Sequence, residues 1–172
     1  YVGLVYKQTD PESEDPNACC AAQMFLSSGD GIVFRGAAGP WYTPSNKEYH
    51  LEEAPAAQLM SLVVSEYKRM HNNEEPKELF IHGRSRFNRE EWSGFQSAVP
   101  STTNLVGVQI RDAKSELKLF TSGNFPVIRG TALKVSERAA YLWTTGYIPR
   151  LNTYMGPETP NPIFIHVQKG DC

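Results

Sequence analysis

The side chains best placed to do chemistry are cations that stand apart from acids: Arg84, Arg86, Arg129, Lys134 and Arg150. Arg111 joins them less clearly, because Asp112 follows it and offers an internal ion pair. Separated cations, together with the hydroxyls of Thr144, Thr145, Thr153 and Tyr154, suit a phosphate backbone. Such a backbone needs charge and donors spaced along a groove, and no code for bases. The formal net charge of −2 does not argue against this, since a basic stripe can lie on an acidic protein. The acids cluster elsewhere, as Asp10, Glu12, Glu14 and Asp15, and as Glu48, Glu52 and Glu53. Hard cations require convergent oxygen ligands. Asp30 in a turn and the three glutamates before a helix are expected to be solvated or favoured by the helix dipole. No metal site and no cofactor are expected.

The remaining reactive types point the same way. His50, His71, His82 and His166 lack ligand spacing, and a lone imidazole makes neither a metal site nor a triad. His82, at a strand end, reads as a hydrogen-bonded structural residue. Cys19 and Cys20 lie together in an apolar stretch and read as small buried hydrophobes; with Cys172 the count is odd, which suits a reducing compartment. No stretch approaches the roughly 20 apolar residues of a membrane span, and no leader pattern opens the chain, so a cytoplasmic location is expected. Trp41, Tyr42, Tyr49 and Phe87 have rings that could stack on bases. Phe87 is better used beside a helix start, and Trp41 and Tyr42, in a Pro/Gly-containing loop, are better candidates for packing a partner domain, a choice the sequence leaves open.

The elements that must position these residues follow from periodicity. Val2–Tyr6 is a short apolar run, expected as a central strand buried on both faces. After a polar loop over 10–17, Ala18–Leu26 and Ile32–Arg35 read as strands joined by a Ser-Ser-Gly-Asp-Gly turn at 27–31. A loop is expected over 36–50. Leu59, Leu62, Val63, Tyr67 and Met70 recur at helical spacing, with Pro55 in the first turn. Glu78–Ile81 is the next buried strand. Asn88 is expected to cap a helix through 99, with Glu91 completing a capping box and Phe87 stapled to Trp92. Further strands are expected at Leu105–Ile110, Glu116–Phe120, Pro126–Val135, Tyr141–Thr145 and Pro162–Val167. The layout is α/β: one domain with helices on a mixed sheet.

Four stretches in order resemble the PIWI domain of Argonautes, which has a ribonuclease-H-like fold. They are Val2-Gly3-Leu4-Val5-Tyr6; Leu79-Phe80-Ile81-His82-Gly83-Arg84; Leu105 to Arg111; and Arg129-Gly130-Thr131 with Tyr141 to Gly146, closing at Thr159-Pro160-Asn161-Pro162. Within that family the chain is most similar to the short prokaryotic branch. The resemblance implies a mixed β-sheet flanked by α-helices. It also implies that residues 1–172 are a PIWI segment of a longer MID–PIWI chain, cut at both ends.

Active members of the family hold two divalent ions with carboxylates that flank the scissile phosphate. The resemblance places one aspartate where this chain has Val5, and a second in an Arg-Asp-Gly-like turn where it has Gly83. Neither side chain can ligate a hard cation, so loss of nuclease activity is expected. The implied function is a non-catalytic module that holds a guide RNA on a single-stranded target DNA and relays recognition to a partner. By resemblance, that partner carries an Argonaute N-terminal-like region and a TIR or sirtuin-like effector. The expected contacts are Arg84, Arg86, Arg111, Arg129, Lys134, Arg150, Thr153 and Tyr154. Two alternatives stand beside this: a metal-dependent guide-directed endonuclease, and a scaffold that binds no nucleic acid.

Overall fold

The structure, a computed structural model, describes residues 1–10, 12, 17–25, 31–45, 47–113, 117–154, 156 and 159–170. The chain forms two compact units, Tyr1–Val108 with Gln168–Cys172, and Gln109–Val167.

The first unit opens with an antiparallel meander of β1 (Val2–Gln8), β2 (Ala18–Phe25) and β3 (Gly31–Gly39). The turn expected at 27–31 falls mainly outside the described residues, and only Gly31, the first residue of β3, is placed. A two-stranded ladder, β4 (Tyr42–Thr43) with β5 (Glu48–Tyr49), occupies part of the expected loop. Helix α1 (Glu53–Met70) follows, then β6 (Glu78–Gly83), helix α2 (Arg89–Ala98) and β7 (Asn104–Asp112), which continues into the second unit. The strand order is β3-β2-β1-β6-β7, with β1 parallel to β6, so this is a mixed sheet carrying helices, as expected.

The helices form where the sequence signals them. Pro55 sits at the third position of α1, where its missing N–H costs no intrahelical bond. Ala56, Leu59, Met60, Val63 and Val64 give α1 its buried stripe. The Asn88 side chain caps α2 by accepting from the Glu91 amide at 2.8 Å, and Phe87 lies 5.7 Å from Trp92, ring to ring. Gly94 lets the helices meet, because a Cβ there would lie 2.7 Å from the Ala56 Cβ and closer still to the Glu53 carbonyl.

Four expectations for this unit are corrected. β1 is buried on one face only: Val2 and Leu4 enter the core, while Val5 is 56% exposed. Trp41 belongs to the core of the first unit itself, beside Leu51 and Leu59, so its loop is anchored and is not a docking arm for another domain. Glu91 does not close a capping box. Its side chain turns inward, 2% exposed, and takes the Tyr6 hydroxyl at 2.6 Å and the Leu51 amide at 3.2 Å. His50 Nδ1 lies 3.7 Å from the same carboxylate, and its Nε2 lies 3.3 Å from Glu48. The carboxylate serves these tertiary donors in place of the local amide. Cys20 is buried as expected, and burial pushes its thiol up to about 12; Cys19 is exposed, against expectation.

The second unit is built on β8 (Ala132–Ser136), β9 (Ala139–Leu142) and β10 (Ile163–Lys169), antiparallel in the order β10-β9-β8, with a short 3-10 turn at Pro149–Leu151. Residues 117–120 are not a strand, so the expected Glu116–Phe120 strand does not form in its described part. The expected strand from Pro126 begins only at Ala132, because Gly130 turns the chain with φ +91° just before it. Trp143 is fully buried, and its indole donates to the Pro160 carbonyl at 3.1 Å, which ties the Thr-Thr-Gly stretch to the closing Pro-Asn-Pro. No helix is long and apolar enough to cross a membrane among the described residues.

Candidate nucleic-acid interface

In the first unit the informative geometry is the parallel pairing of β1 with β6. Val2 is level with Ile81 and Gly3 with His82. Side chains alternate along a strand, so Val2, Leu4, Ile81 and Gly83 share the core face, and Gly3, Val5 and His82 share the other. Burial agrees: Ile81 and Gly83 are buried, and a Cβ on Gly83 would lie 3.0 Å from the Phe87 ring, inside the core. Val5 and Gly83 therefore point to opposite sides of the sheet. Arg84 is exposed and lies in a bend just past the end of β6.

A side chain at 83 would enter the hydrocarbon core, so the two positions where the resemblance implies carboxylates face opposite ways. An isopropyl group and a glycine offer no side-chain oxygen to a divalent ion. The residues present do not fit a metal pair at this place. Among the described residues, no three His, Cys, Asp or Glu side chains are grouped to hold a metal. Of the glutamates weighed as substitutes, Glu48 is engaged with His50 and Glu53 accepts from Ser93 Oγ at 2.7 Å. Glu52 is the N-cap residue of α1 and makes no side-chain cap bond, and Asp30 lies outside the described residues.

His82 is on the Val5 face, stacked on Tyr1 with ring centres 5.7 Å apart, and Tyr1 stacks on Phe25 at 5.3 Å. Burial lowers the His82 pKa, so the ring is neutral at pH 7. Arg86 is exposed, as is Arg84. The aromatic groups weighed for stacking are used internally: Tyr42 packs on Tyr49, and Tyr49 on Tyr6, at 4.9 and 5.4 Å.

The second unit carries the other expected contacts. It holds seven Lys/Arg against four Asp/Glu, while the remainder of the chain holds ten against fifteen. The chain's acidity thus lies in the first unit, a division that the net charge conceals. Arg129 and Arg150 are exposed and belong to one hydrogen-bonded knot of loops. The Arg129 amide donates to the Tyr147 carbonyl at 3.0 Å, and Ile148, just before the turn that holds Arg150, bridges to Thr153. Thr144, Thr145 and Thr153 are exposed, and Tyr154 is half-buried. Two expected contacts are less available. Lys134 Nζ donates to Glu137 at 2.8 Å, and the Arg111 guanidinium lies over the Phe164 ring, 4.7 Å from its centre. The geometry therefore groups Arg129, Arg150 and Thr153, and separately Arg84 with Arg86.

No family model matches the sequence, and no curated protein matches it. Solved structures do. Over 99% of its length the chain superposes on a *Clostridium butyricum* Argonaute bound to a guide DNA and a target DNA, with a TM-score of 0.67 and 19% identity. It superposes on a *Marinitoga piezophila* Argonaute in complex with guide RNA and target DNA over its full length, with a TM-score of 0.60 and 16% identity. The chain spans 21% and 23% of those two proteins. The fold is thus the ribonuclease-H-like PIWI fold of Argonautes, as the sequence resemblance implies.

Proposed function

We propose that the chain is a PIWI module, part of a longer MID–PIWI chain, that holds a guide–target duplex without cutting it. The observation that supports this is that Val5 and Gly83 carry no side-chain oxygen where the resemblance implies metal-binding carboxylates. Exposed cations keep the attraction for phosphate, while the lack of ligating carboxylates removes the means to polarise it. The basic second unit supports the binding half, with Arg129, Arg150 and Thr153 as backbone contacts and Arg84 and Arg86 as the contacts of the first unit. The pair bound by the *Marinitoga piezophila* protein, guide RNA with target DNA, is the pair proposed here. Resemblance to the short prokaryotic branch supports the last step, relay of target recognition to a partner bearing an Argonaute N-terminal-like region and a TIR or sirtuin-like effector, in prokaryotic defence.

The test uses the full-length protein with its partner, loaded with a guide and given labelled complementary target in magnesium and then in manganese. Retained, uncut target is the expected result. A guide-directed cut that a chelator abolishes refutes the non-catalytic reading; absence of any salt-dependent retention refutes the binding reading.

A further inference from the structure

The loop knot of the second unit presents an aromatic pair in an unusual setting. Phe125 and Tyr147 stack face to face, with centres 4.1 Å apart and planes within 14°, yet Phe125 remains 44% exposed. The pair is held from several directions. The Tyr147 hydroxyl donates to Asn152 Oδ1 at 2.9 Å, and Asn152 adopts a left-handed φ of +47° to reach it. The Tyr147 amide donates to the Val127 carbonyl at 2.9 Å. Gly146, with φ +150°, lies where a Cβ would run into that carbonyl, so only glycine brings Tyr147 so close to the segment that carries Phe125. A fixed, half-exposed π-surface loses little side-chain freedom when a second flat group lands on it.

The neighbouring residues indicate what that group is. Ile128 and Leu151 are exposed apolar side chains of the same knot, next in sequence to Arg129 and Arg150. From 117 to 154 there are five Lys/Arg and a single acid, Glu137. Flat rings flanked by cations and free of nearby acid in sequence complement a polyanion that carries flat bases, whereas an apolar protein partner needs no such charge.

We propose that the Phe125–Tyr147 pair is a stacking platform for one nucleobase, unpaired or at a duplex end, of a strand whose backbone Arg129 and Arg150 hold. This rests on the nucleic-acid reading above and adds a base contact that is indifferent to sequence, since every base has a π-face.

The test places 2-aminopurine at successive positions of a single-stranded oligonucleotide, alone and annealed to its complement, and titrates it with the full-length protein. Expected is fluorescence quenching at one position that disappears in Phe125→Ala and Phe125→Leu and returns in Phe125→Trp. Affinity should fall roughly 5- to 150-fold on loss of the ring, the size of one base stack. The salt slope should stay as in the wild type, because no phosphate contact is removed. Steep salt-dependent binding that all three Phe125 variants leave unchanged overturns the platform and spares the interface. Absence of binding by the wild-type protein overturns both. Loss of effector-partner association in Phe125→Ala, with oligonucleotide binding intact, makes the pair a protein contact and overturns the inference.

Discussion

Replacing Glu91 by alanine should be among the most damaging single changes in the first unit, although the position reads from sequence as the closing residue of a capping box. Its carboxylate is 2% exposed and accepts from the Tyr6 hydroxyl and the Leu51 amide. Truncation removes the carboxylate acceptor from two buried donors, at about 1–3 kcal/mol each, and the lost methylene contacts add about 1 kcal/mol. A net loss of about 4 kcal/mol is expected, which lowers the melting temperature by roughly 8–16 °C for a chain of this size. Denaturant unfolding followed by fluorescence reads it, because Trp41 and Trp92 both lie in that core. The cycle with Tyr6→Phe isolates the hydroxyl–carboxylate pair, whose coupling should be about 1.5–3 kcal/mol. If Glu91→Ala unfolds within 1 kcal/mol of the wild type, as an exposed helix position would, the account of this core is wrong.

Other consequences can be checked in parallel. The carboxylate of Glu91, and after it that of Glu48, raises the pKa of His50 against partial burial. A raised native pKa means that the His50 contribution is full below about pH 6.5 and fades as pH rises through the native value. The stability difference between wild type and His50→Gln should therefore shrink on going from pH 6 to pH 9; a constant gap would refute the pairing. Gly94→Ala should destabilise by about 1–3 kcal/mol through overpacking against α1, where helix propensity alone would stabilise by about 1 kcal/mol; a more stable variant would show that the helices can part. Replacing Arg84, Arg86 and Arg150 together by alanine should weaken duplex binding regardless of sequence and flatten the salt slope by about 3. An unchanged slope would remove those residues from the interface. Val5→Asp alone should give no metal-dependent cleavage, which a single endpoint assay in manganese decides.

What the sequence revealed and what it hid divide along the distance between partners. The Asn88 cap and the Phe87–Trp92 staple involve residues within five positions of each other, and both form as the sequence indicates. Glu91 was placed in a capping box by the same local logic, and failed because its real partners, Tyr6 and Leu51, come from β1 and the segment before α1. Trp41 in a Pro/Gly loop looked external; its burial depends on α1 folding over it. That Gly83 faces away from Val5 was hidden for a reason of parity. Which residues of β6 share a face with Val5 depends on how β6 is registered on β1, and nothing within β6 states it. The Phe125–Tyr147 pair, twenty-two positions apart, left a faint trace in Gly146 before the tyrosine.

The placement of Gly83 against the Phe87 ring also bears on how such a module evolves. An aspartate arising at position 5 would stand on the outward face of β1, whereas one arising at 83 would be driven against a buried aromatic ring, where an unpaired carboxylate is costly. On the reading proposed above, two substitutions would not rebuild a metal pair without a shift of β6 as well, and selection is left to act on grip and on what the grip reports.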